Sequence, residues 1–273
     1  TVLADQQGVI VLGEEHSTVR IQELQARLIR ESVASSGFSP IALSGQYTLG
    51  WEFLNWSDRE RVDSLYQNLL AAGEVTPDAV LDLIRQFFTP ASQTVSDWYR
   101  PYAPILDLVA HANAALLPTN LTRAEKKPVV VGGITAADPA LVPPGFEMGG
   151  EAYRARFNAA MAGGHVTPEQ MDNYFAAQCL TDDVMADHLA RDAIYAPRFL
   201  VVGSFHSDYR DGVVRRLEAR VGNPEKITAV RFVNAAQFTV PEFELFLSQD
   251  LFNAAFGGAI ADYVVIANEP VQP

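Results

Sequence analysis

Residues 9–29 of the chain, VIVLGEEHSTVRIQELQARLI, contain the pattern that decides the fold. The run starts with β-branched and apolar residues, stops at Gly13, and continues with apolar residues at helical spacing from Ile21 onwards. A short apolar run that ends at a glycine is typical of a strand buried on both faces, as in a parallel sheet. Apolar residues three and four positions apart are typical of a helix that packs on a core. We therefore predict a buried strand followed by a helix.

The same alternation continues along the chain and predicts the fold class. A second strand is expected at 39–45 (SPIALSG), and a strand–helix–strand unit of this kind joins parallel strands. Because no strand is evident between Trp51 and Trp98, we interpret residues 51–98 as a helical insertion over one end of the sheet. The prediction is a single α/β domain, residues 1–273, with a mostly parallel central sheet flanked by helices. Further predicted elements are strands at 114–120, 128–134, 198–206, 227–233 and 261–267, and a helix from Thr167 through Leu189.

The composition limits the possible partners. The 273 residues include 33 Asp or Glu and 20 Lys or Arg, which gives a formal net charge of −13. Such an acidic surface repels phosphates and anionic lipid head groups, so we expect no nucleic-acid partner and no electrostatic docking to a membrane. The only cysteine, Cys179, cannot form an intrachain disulfide, and we interpret it as a small buried hydrophobe.

Neither a membrane span nor a leader is visible in the sequence. No apolar run reaches the roughly 20 residues that a transmembrane helix needs. The sequence starts at Thr1 without a charged and apolar leader. We interpret it as a trimmed or mature chain, in which an export signal or a lipid anchor would not be visible.

Polar side chains directly follow two of the predicted strands. Glu14, Glu15 and His16 come after the first strand, and His206 follows a similar apolar run and glycine. Because the carboxyl ends of parallel strands meet at one edge of a sheet, where ligands bind, we expect these side chains to lie together. Glu14, His16 and His206 could hold a divalent cation or share a proton. The alternative is that they only satisfy backbone groups at the strand ends.

Two further residues complete the predicted pocket. Gln46 follows the expected second strand, and Asn120 ends the strand at 114–120. The predicted pocket therefore consists of Glu14, Glu15, His16, Gln46, Asn120 and His206.

Four blocks of this sequence resemble the ChaN-like haem-binding proteins, which belong to a superfamily with the erythromycin esterase-like and Tiki/TraB proteins. The blocks occur in the family's order and cover most of the chain between residues 9 and 221. The resemblance implies a parallel sheet flanked by helices with a smaller helical part. The blocks are VLGEEHSTVRIQELQARLI (11–29), YRPYAPILDLVAHANAALLPTNL (99–121), AAQCLTDDVMADHLA (176–190) and FLVVGSFHSDYRDGVVRRLEARV (199–221).

Two positions depart from the family pattern. The family usually carries a glutamate shortly after its second strand, where this chain has Gln46 in LSGQYTLG (43–50). An amide is a poor metal ligand and a poor base, so this difference argues against hydrolysis. The second departure is GSFH (203–206), where the family commonly shows a Gly-Asn-Gly-His run.

The resemblance implies a non-catalytic haem-binding or iron-binding protein of an iron-acquisition system. It further implies an exported lipoprotein, periplasmic or associated with the outer membrane. A homodimer is plausible because haem ligands in this family can come from a subunit interface. Haem iron takes a His, Tyr, Met or Cys donor, and our candidates are Tyr174 and His165. The alternative for Tyr174 is a core tyrosine whose hydroxyl bonds to the backbone.

Two other functions stay open from the sequence. The first is a metal-dependent hydrolase, in which Glu14, His16 and His206 would bind a cation or activate water. The second is an interaction protein that keeps the fold while its pocket has lost its function.

Overall fold

A six-stranded sheet forms the centre of the protein in the computed structural model, which describes residues 8–35, 47–88, 97–162 and 166–268. The strand order is β3-β2-β4-β1-β5-β8, and every pair of neighbours is parallel, which confirms the predicted α/β fold. Strands β6 and β7 form a separate antiparallel pair. The strands are β1 Val9–Glu14, β2 Thr48–Asn55, β3 Ala115–Asn120, β4 Arg198–Gly203, β5 Ile227–Asn234, β6 Phe252–Asn253, β7 Gly258–Ala259 and β8 Tyr263–Ala267.

Helices cover both faces of this sheet. On one face, apolar residues of helices α1 to α4 form a core with Leu12 of β1 and Trp51 of β2. On the other face, α7 and α8 pack against Val11 and Leu200. None of the helices in the described ranges is both long and apolar enough to cross a bilayer. The helices are α1 Val19–Ser35, α2 Arg59–Ala71, α3 Pro77–Phe87, α4 Ala103–His111, α5 Arg123–Gly132, α6 Glu151–Ala160, α7 Pro168–Asp192, α8 Gly212–Val221 and α9 Val240–Leu245.

The second strand of the sheet begins after the segment in which the sequence predicted a strand. The strand expected at 39–45 lies outside the described residues, and β2 runs over Thr48–Asn55. The expectation of no strand between Trp51 and Trp98 is therefore wrong for residues 51–55. Helices α2 and α3 do follow, but Val62 of α2 and Val80 of α3 belong to the same core as Trp51. The helices of this segment thus form part of the layer on one face of the sheet. The sequence had predicted that they would lie over one end of the sheet.

The predicted strand at 128–134 is a helix. Thr122 and Glu125 form a capping box, in which each side chain bonds to the other residue's backbone N–H, and α5 begins at the next residue after Thr122. This local signal outweighs the β-branched run of residues 129–131. Val129 is buried against α7, whereas Val131 is 70 % exposed, so only one side of the run faces the core.

The long helix α7 confirms its prediction. It begins with Pro168 at the first helical position, after a capping box between Thr167 and Gln170. The helix continues through Leu189 to Asp192, and most of its residues from Phe175 onwards are buried. Asp182 and Asp183 lie in this buried part, which places acidic side chains beside the sheet.

Candidate functional site

The glycines before the predicted histidine sites make room for a close approach of two chain segments. Glu14, the last residue of β1, is paired in register with Gly203, the last residue of β4. A Cβ atom on Gly203 would stand 2.7 Å from the His16 ring, closer than a real side chain allows. A Cβ on Gly13 would stand 2.0 Å from the Ser207 Oγ atom. The repeated glycine therefore lets β1 and β4 bring their following histidines to the same edge of the sheet.

A continuous set of polar side chains, the polar relay, crosses this edge. It consists of two histidines, each placed between two carboxylates, with a tyrosine hydroxyl at each end. Its members in spatial order are Tyr102, Glu14, His16, Glu52, His206, Asp182 and Tyr153.

The first half of the polar relay surrounds His16. Its Nδ1 atom lies 3.1 Å from Glu14 Oε1 and its Nε2 atom 3.2 Å from Glu52 Oε1. Glu14 is buried, and it accepts hydrogen bonds from the Tyr102 hydroxyl and from Gln22 Nε2, the latter at 2.7 Å. These donors fix the carboxylate, which in turn orients the imidazole.

The second half surrounds His206. Its Nδ1 atom lies 2.6 Å from Asp182 Oδ1, and its Nε2 atom lies 3.7 Å from Glu52 Oε2. The Tyr153 hydroxyl donates to Asp182 Oδ2 at 2.6 Å, as Tyr102 does to Glu14 at the other end. Glu52 Oε2 also accepts the backbone N–H of Gly203 at 2.7 Å, so the end of β4 holds the central carboxylate in place.

The carboxylates set the protonation of both imidazoles. Burial lowers the pKa of His16, but the hydrogen bond to Glu14 and the charges of Glu52 and Glu14 outweigh it and raise the pKa above its ordinary value. Burial likewise lowers the pKa of His206, and Asp182 together with Glu52 raises it further than burial lowers it. Burial also raises the pKa of Glu14. The carboxylates therefore favour the protonated form of both imidazoles.

A cavity of about 590 Å³ borders the polar relay at Glu52 and His206. This volume lies in the range of about 300–1,000 Å³ that is typical of small-molecule sites. Flat aromatic side chains form much of its wall, and Phe88 is stacked on Tyr99 at 3.6 Å between ring centroids. The lining residues are Glu52, Phe53, Asn55, Phe88, Tyr99, Asn120, Leu121, Arg123, Lys126, Val130, Phe157, Met161, Tyr174, Ala177, Gln178, Thr181 and His206.

Comparison with known proteins identifies the family. The sequence model of the family described as "Haem-binding uptake, Tiki superfamily, ChaN" matches residues 3–217, which is most of the chain. The chain belongs to this family. No curated protein sequence matches the chain.

Two solved structures are similar to this ChaN-family chain. One, described as "Cofacial heme binding to ChaN of Campylobacter jejuni", is 19 % identical, with a TM-score of 0.62 over 85 % of this chain and 82 % of that one. At this identity the likeness supports the fold. The other, the type III effector HopBA1, is 13 % identical, with a TM-score of 0.44 over 96 % of this chain and 88 % of that one.

The cavity of this family member has donor groups that suit haem. Tyr174 lines it from α7, and within the described part of the chain its hydroxyl makes no hydrogen bond. The alternative of a core tyrosine bonded to the backbone is thus not what the structure shows. Met161 offers a thioether at the same cavity, and Phe53 and Phe157 offer apolar walls. These residue types are those that a porphyrin and its iron need.

The structure brings some of the predicted pocket residues together and separates others. Glu14, His16 and His206 belong to the polar relay, and Asn120 lines the cavity while its Nδ2 donates to the Glu52 carbonyl oxygen at 2.8 Å. Glu15 does not join them, because it points to β5 and contacts Arg231 Nη2 at 3.2 Å. Gln46 and His165 lie outside the described residues.

The predicted divalent-metal site is not supported by the geometry. Within the ranges that the structure describes, no group of three or more His, Cys, Asp or Glu side chains is arranged to hold a metal ion. The Glu14 carboxylate already accepts hydrogen bonds from Gln22 and Tyr102. His16 and His206 both face Glu52, from different sides. The predicted set of Glu14, His16 and His206 therefore does not converge on one point.

Sequence reasoning missed the central carboxylate, Glu52. The family glutamate was expected at Gln46, yet Glu52 of β2 contacts both imidazoles. Asp182 was missed because it lies within a helix, far from any strand end. A usable signal was the position of both acids: Glu52 interrupts an apolar run, and Asp182 lies between the apolar residues Leu180 and Val184.

Proposed function

We propose that this protein binds haem in the cavity and that Tyr174 ligates the iron. The observation that carries the proposal is a half-buried tyrosine that lines a partly aromatic cavity and whose hydroxyl makes no hydrogen bond to any described residue. Membership of a haem-binding uptake family supports it. The chain's own residues bind and orient the ligand: Phe53 and Phe157 exclude water from its faces, and Tyr174 presents its oxygen. Bound haem supplies an iron centre that accepts this oxygen.

Titration with hemin tests the proposal. The wild-type protein should shift the Soret band of hemin with saturable, stoichiometric binding. Tyr174→Phe should change the band and weaken binding by about tenfold or more, which corresponds to about 1.4 kcal/mol. Tyr99→Phe is the matched control, because Tyr99 also lines the cavity and its hydroxyl makes no hydrogen bond among the described residues. Equal spectra for both variants, or no shift with the wild-type protein, would contradict the proposal.

We further propose that the protein serves iron acquisition as an exported, non-catalytic carrier, periplasmic or outer-membrane-associated and lipid-anchored. The word "uptake" in the family's description supports this role. Cell fractionation of the source organism tests the location, and growth of a deletion strain on hemin as the only iron source tests the role. Normal growth of that strain would contradict it.

A homodimer that shares the haem site is proposed from the family resemblance. The related structure's description, cofacial haem binding to ChaN, is consistent with two haems that face each other. Sedimentation velocity with and without hemin measures this directly. A chain that stays monomeric when saturated with hemin would contradict the proposal.

Hydrolysis is a second candidate, and the polar relay is the observation that favours it. The argument from Gln46 against hydrolysis loses its weight, because Glu52 supplies a carboxylate between the two imidazoles. His206 borders the cavity and could donate or accept a proton there without any metal. Assays with simple esters should then show turnover that His206→Asn removes. Turnover no greater than in buffer would reject this candidate.

A further inference from the structure

Two cations of α5 face the candidate haem cavity. Arg123 and Lys126 are three positions apart, so they lie on the same side of the helix, and both line the cavity. The acid between them, Glu125, is already used, because its carboxylate accepts the Thr122 backbone N–H at 2.6 Å and the Thr122 hydroxyl at 2.8 Å. The capping box therefore holds the Glu125 carboxylate at the start of the helix, where it forms no ion pair with either cation.

Neither cation forms an ion pair in the described residues. No carboxylate lies within 4 Å of either side-chain charge in that part of the chain, and neither side chain donates a hydrogen bond there. Arg123 is exposed at the mouth of the cavity, whereas Lys126 is half-buried in its wall. The nearby carboxylates Glu52 and Asp182 are held by the polar relay.

Lys126 is also more buried than an ordinary surface lysine. Burial lowers its pKa, and the charge of Glu52 only partly opposes this effect. Its neighbour Lys127 is exposed and is absent from the cavity wall. The chain has three lysines, Lys126, Lys127 and Lys226, so the placement of one of them at this wall is distinctive. An unpaired cation at an apolar wall gains most from an anionic ligand.

We propose that Arg123 and Lys126 form a carboxylate clamp that selects tetrapyrroles with free propionates over their neutral esters. This inference rests on the proposed haem-binding function and assigns the residues that recognise the acidic edge of the ligand. A tetrapyrrole of this class carries two carboxylates on one edge of a flat apolar ring. The guanidinium can pair with one carboxylate in a bidentate manner and the ammonium can pair with the other. The aromatic wall then contacts the ring.

The experiment compares binding of protoporphyrin IX and its dimethyl ester, measured by fluorescence titration. Metal-free ligands remove any contribution from iron ligation by Tyr174. Hemin and hemin dimethyl ester are titrated in parallel. The variants are Arg123→Gln, Lys126→Met and the double variant, with Lys127→Met as the matched control. Binding of the diester is the internal measure of an intact cavity, because the ester does not need the cations.

The wild-type protein should bind the free acid at least tenfold more tightly than the diester. Each single variant should lose roughly tenfold in affinity for the acid, the double variant should lose the preference altogether, and Lys127→Met should behave like the wild-type protein. Equal affinity of the wild-type protein for acid and ester, or an unchanged preference in the double variant, overturns the clamp and leaves haem binding standing. A wild-type protein that binds neither hemin nor porphyrin overturns the proposed function, and the clamp with it.

Discussion

His16 and His206 turn their Nε2 atoms toward different oxygens of one carboxylate, Glu52, at 3.2 and 3.7 Å. The two histidines follow β1 and β4, which are direct neighbours in the sheet. Glu52 reaches them from β2, on the other side of β4. Protonation of one imidazole therefore changes the charge that the other one experiences, and the two titrate as a coupled pair.

Glu52→Gln should lower the pKa values of both His16 and His206. The charge of Glu52 raises each of them in the wild-type protein, and an amide removes that charge while keeping an oxygen for the Gly203 N–H. We expect a decrease at both histidines, measured by NMR titration of the imidazole protons. Glu60→Gln is the control, because the Glu60 side chain is 91 % exposed. Unchanged histidine pKa values in Glu52→Gln would show that the carboxylate does not couple the pair.

Removal of the two end hydroxyls should have matched effects on stability. Tyr102→Phe leaves Glu14 without one donor, and Tyr153→Phe does the same to Asp182. Each buried carboxylate then loses a hydrogen bond, at a cost of about 1–3 kcal/mol in the free energy of unfolding. Urea denaturation measures both. A loss in one variant but not in the other would show that the two ends of the polar relay are not equivalent.

The histidines of the polar relay could be predicted because a local pattern marks them. Each follows a buried strand and a glycine, and a parallel sheet carries such residues to one edge. Glu52 carries no such mark, because the second strand was expected at 39–45 and the apolar run around Trp51 suggested the start of a helical segment. Charged residues are rare within buried strands, so the pattern argued against the true position.

Asp182, Tyr153 and Lys126 reach the site from helices, and no spacing in the sequence links them to a strand end. Asp182 contacts His206, which lies in the loop after β4, so only the packing of α7 on the sheet brings them together. Lys126 was not predicted as a site residue, because residues 128–134 were interpreted as a strand and the helix that carries Lys126 was missed. The helix begins at the capping box of Thr122, which is visible in the sequence. In our prediction the β-branched run was given more weight than this helix signal.

The assignment of α5 as a helix can be tested at two neighbouring valines. Val129 is buried and Val131 is 70 % exposed, whereas a buried strand would enclose both. Val129→Ala should cost about 1.5–3 kcal/mol in the free energy of unfolding, and Val131→Ala should cost less than about 0.5 kcal/mol. Urea denaturation of the two variants gives the comparison. Similar large losses at both positions would favour a strand.

A buried carboxylate outside the polar relay predicts how stability depends on pH. Asp208 lies beside Arg231, whose Nε atom is 3.4 Å from its Oδ1. Burial nevertheless raises the pKa of Asp208 from its ordinary value of 3.8 to about 6, and the charges of Arg231 and Arg156 only partly oppose this. The folded state therefore holds this proton more tightly than the unfolded chain does. The charged carboxylate lowers the free energy of unfolding. This destabilisation is absent below pH 3.8 and fully present above about pH 6.

Asp208→Asn should therefore gain stability relative to the wild-type protein as the pH rises through this window. The amide keeps the shape of the side chain without its charge, and Arg231 keeps Glu15 as an ion-pair partner. The relative gain between about pH 4 and pH 7 should be on the order of 2 kcal/mol, from urea denaturation at intervals of one pH unit. Glu74→Gln, in the exposed turn before α3, should show no such trend. A constant difference between Asp208→Asn and the wild-type protein across the window would mean that Asp208 titrates alike in the folded and unfolded states, because only a difference in proton binding makes relative stability depend on pH.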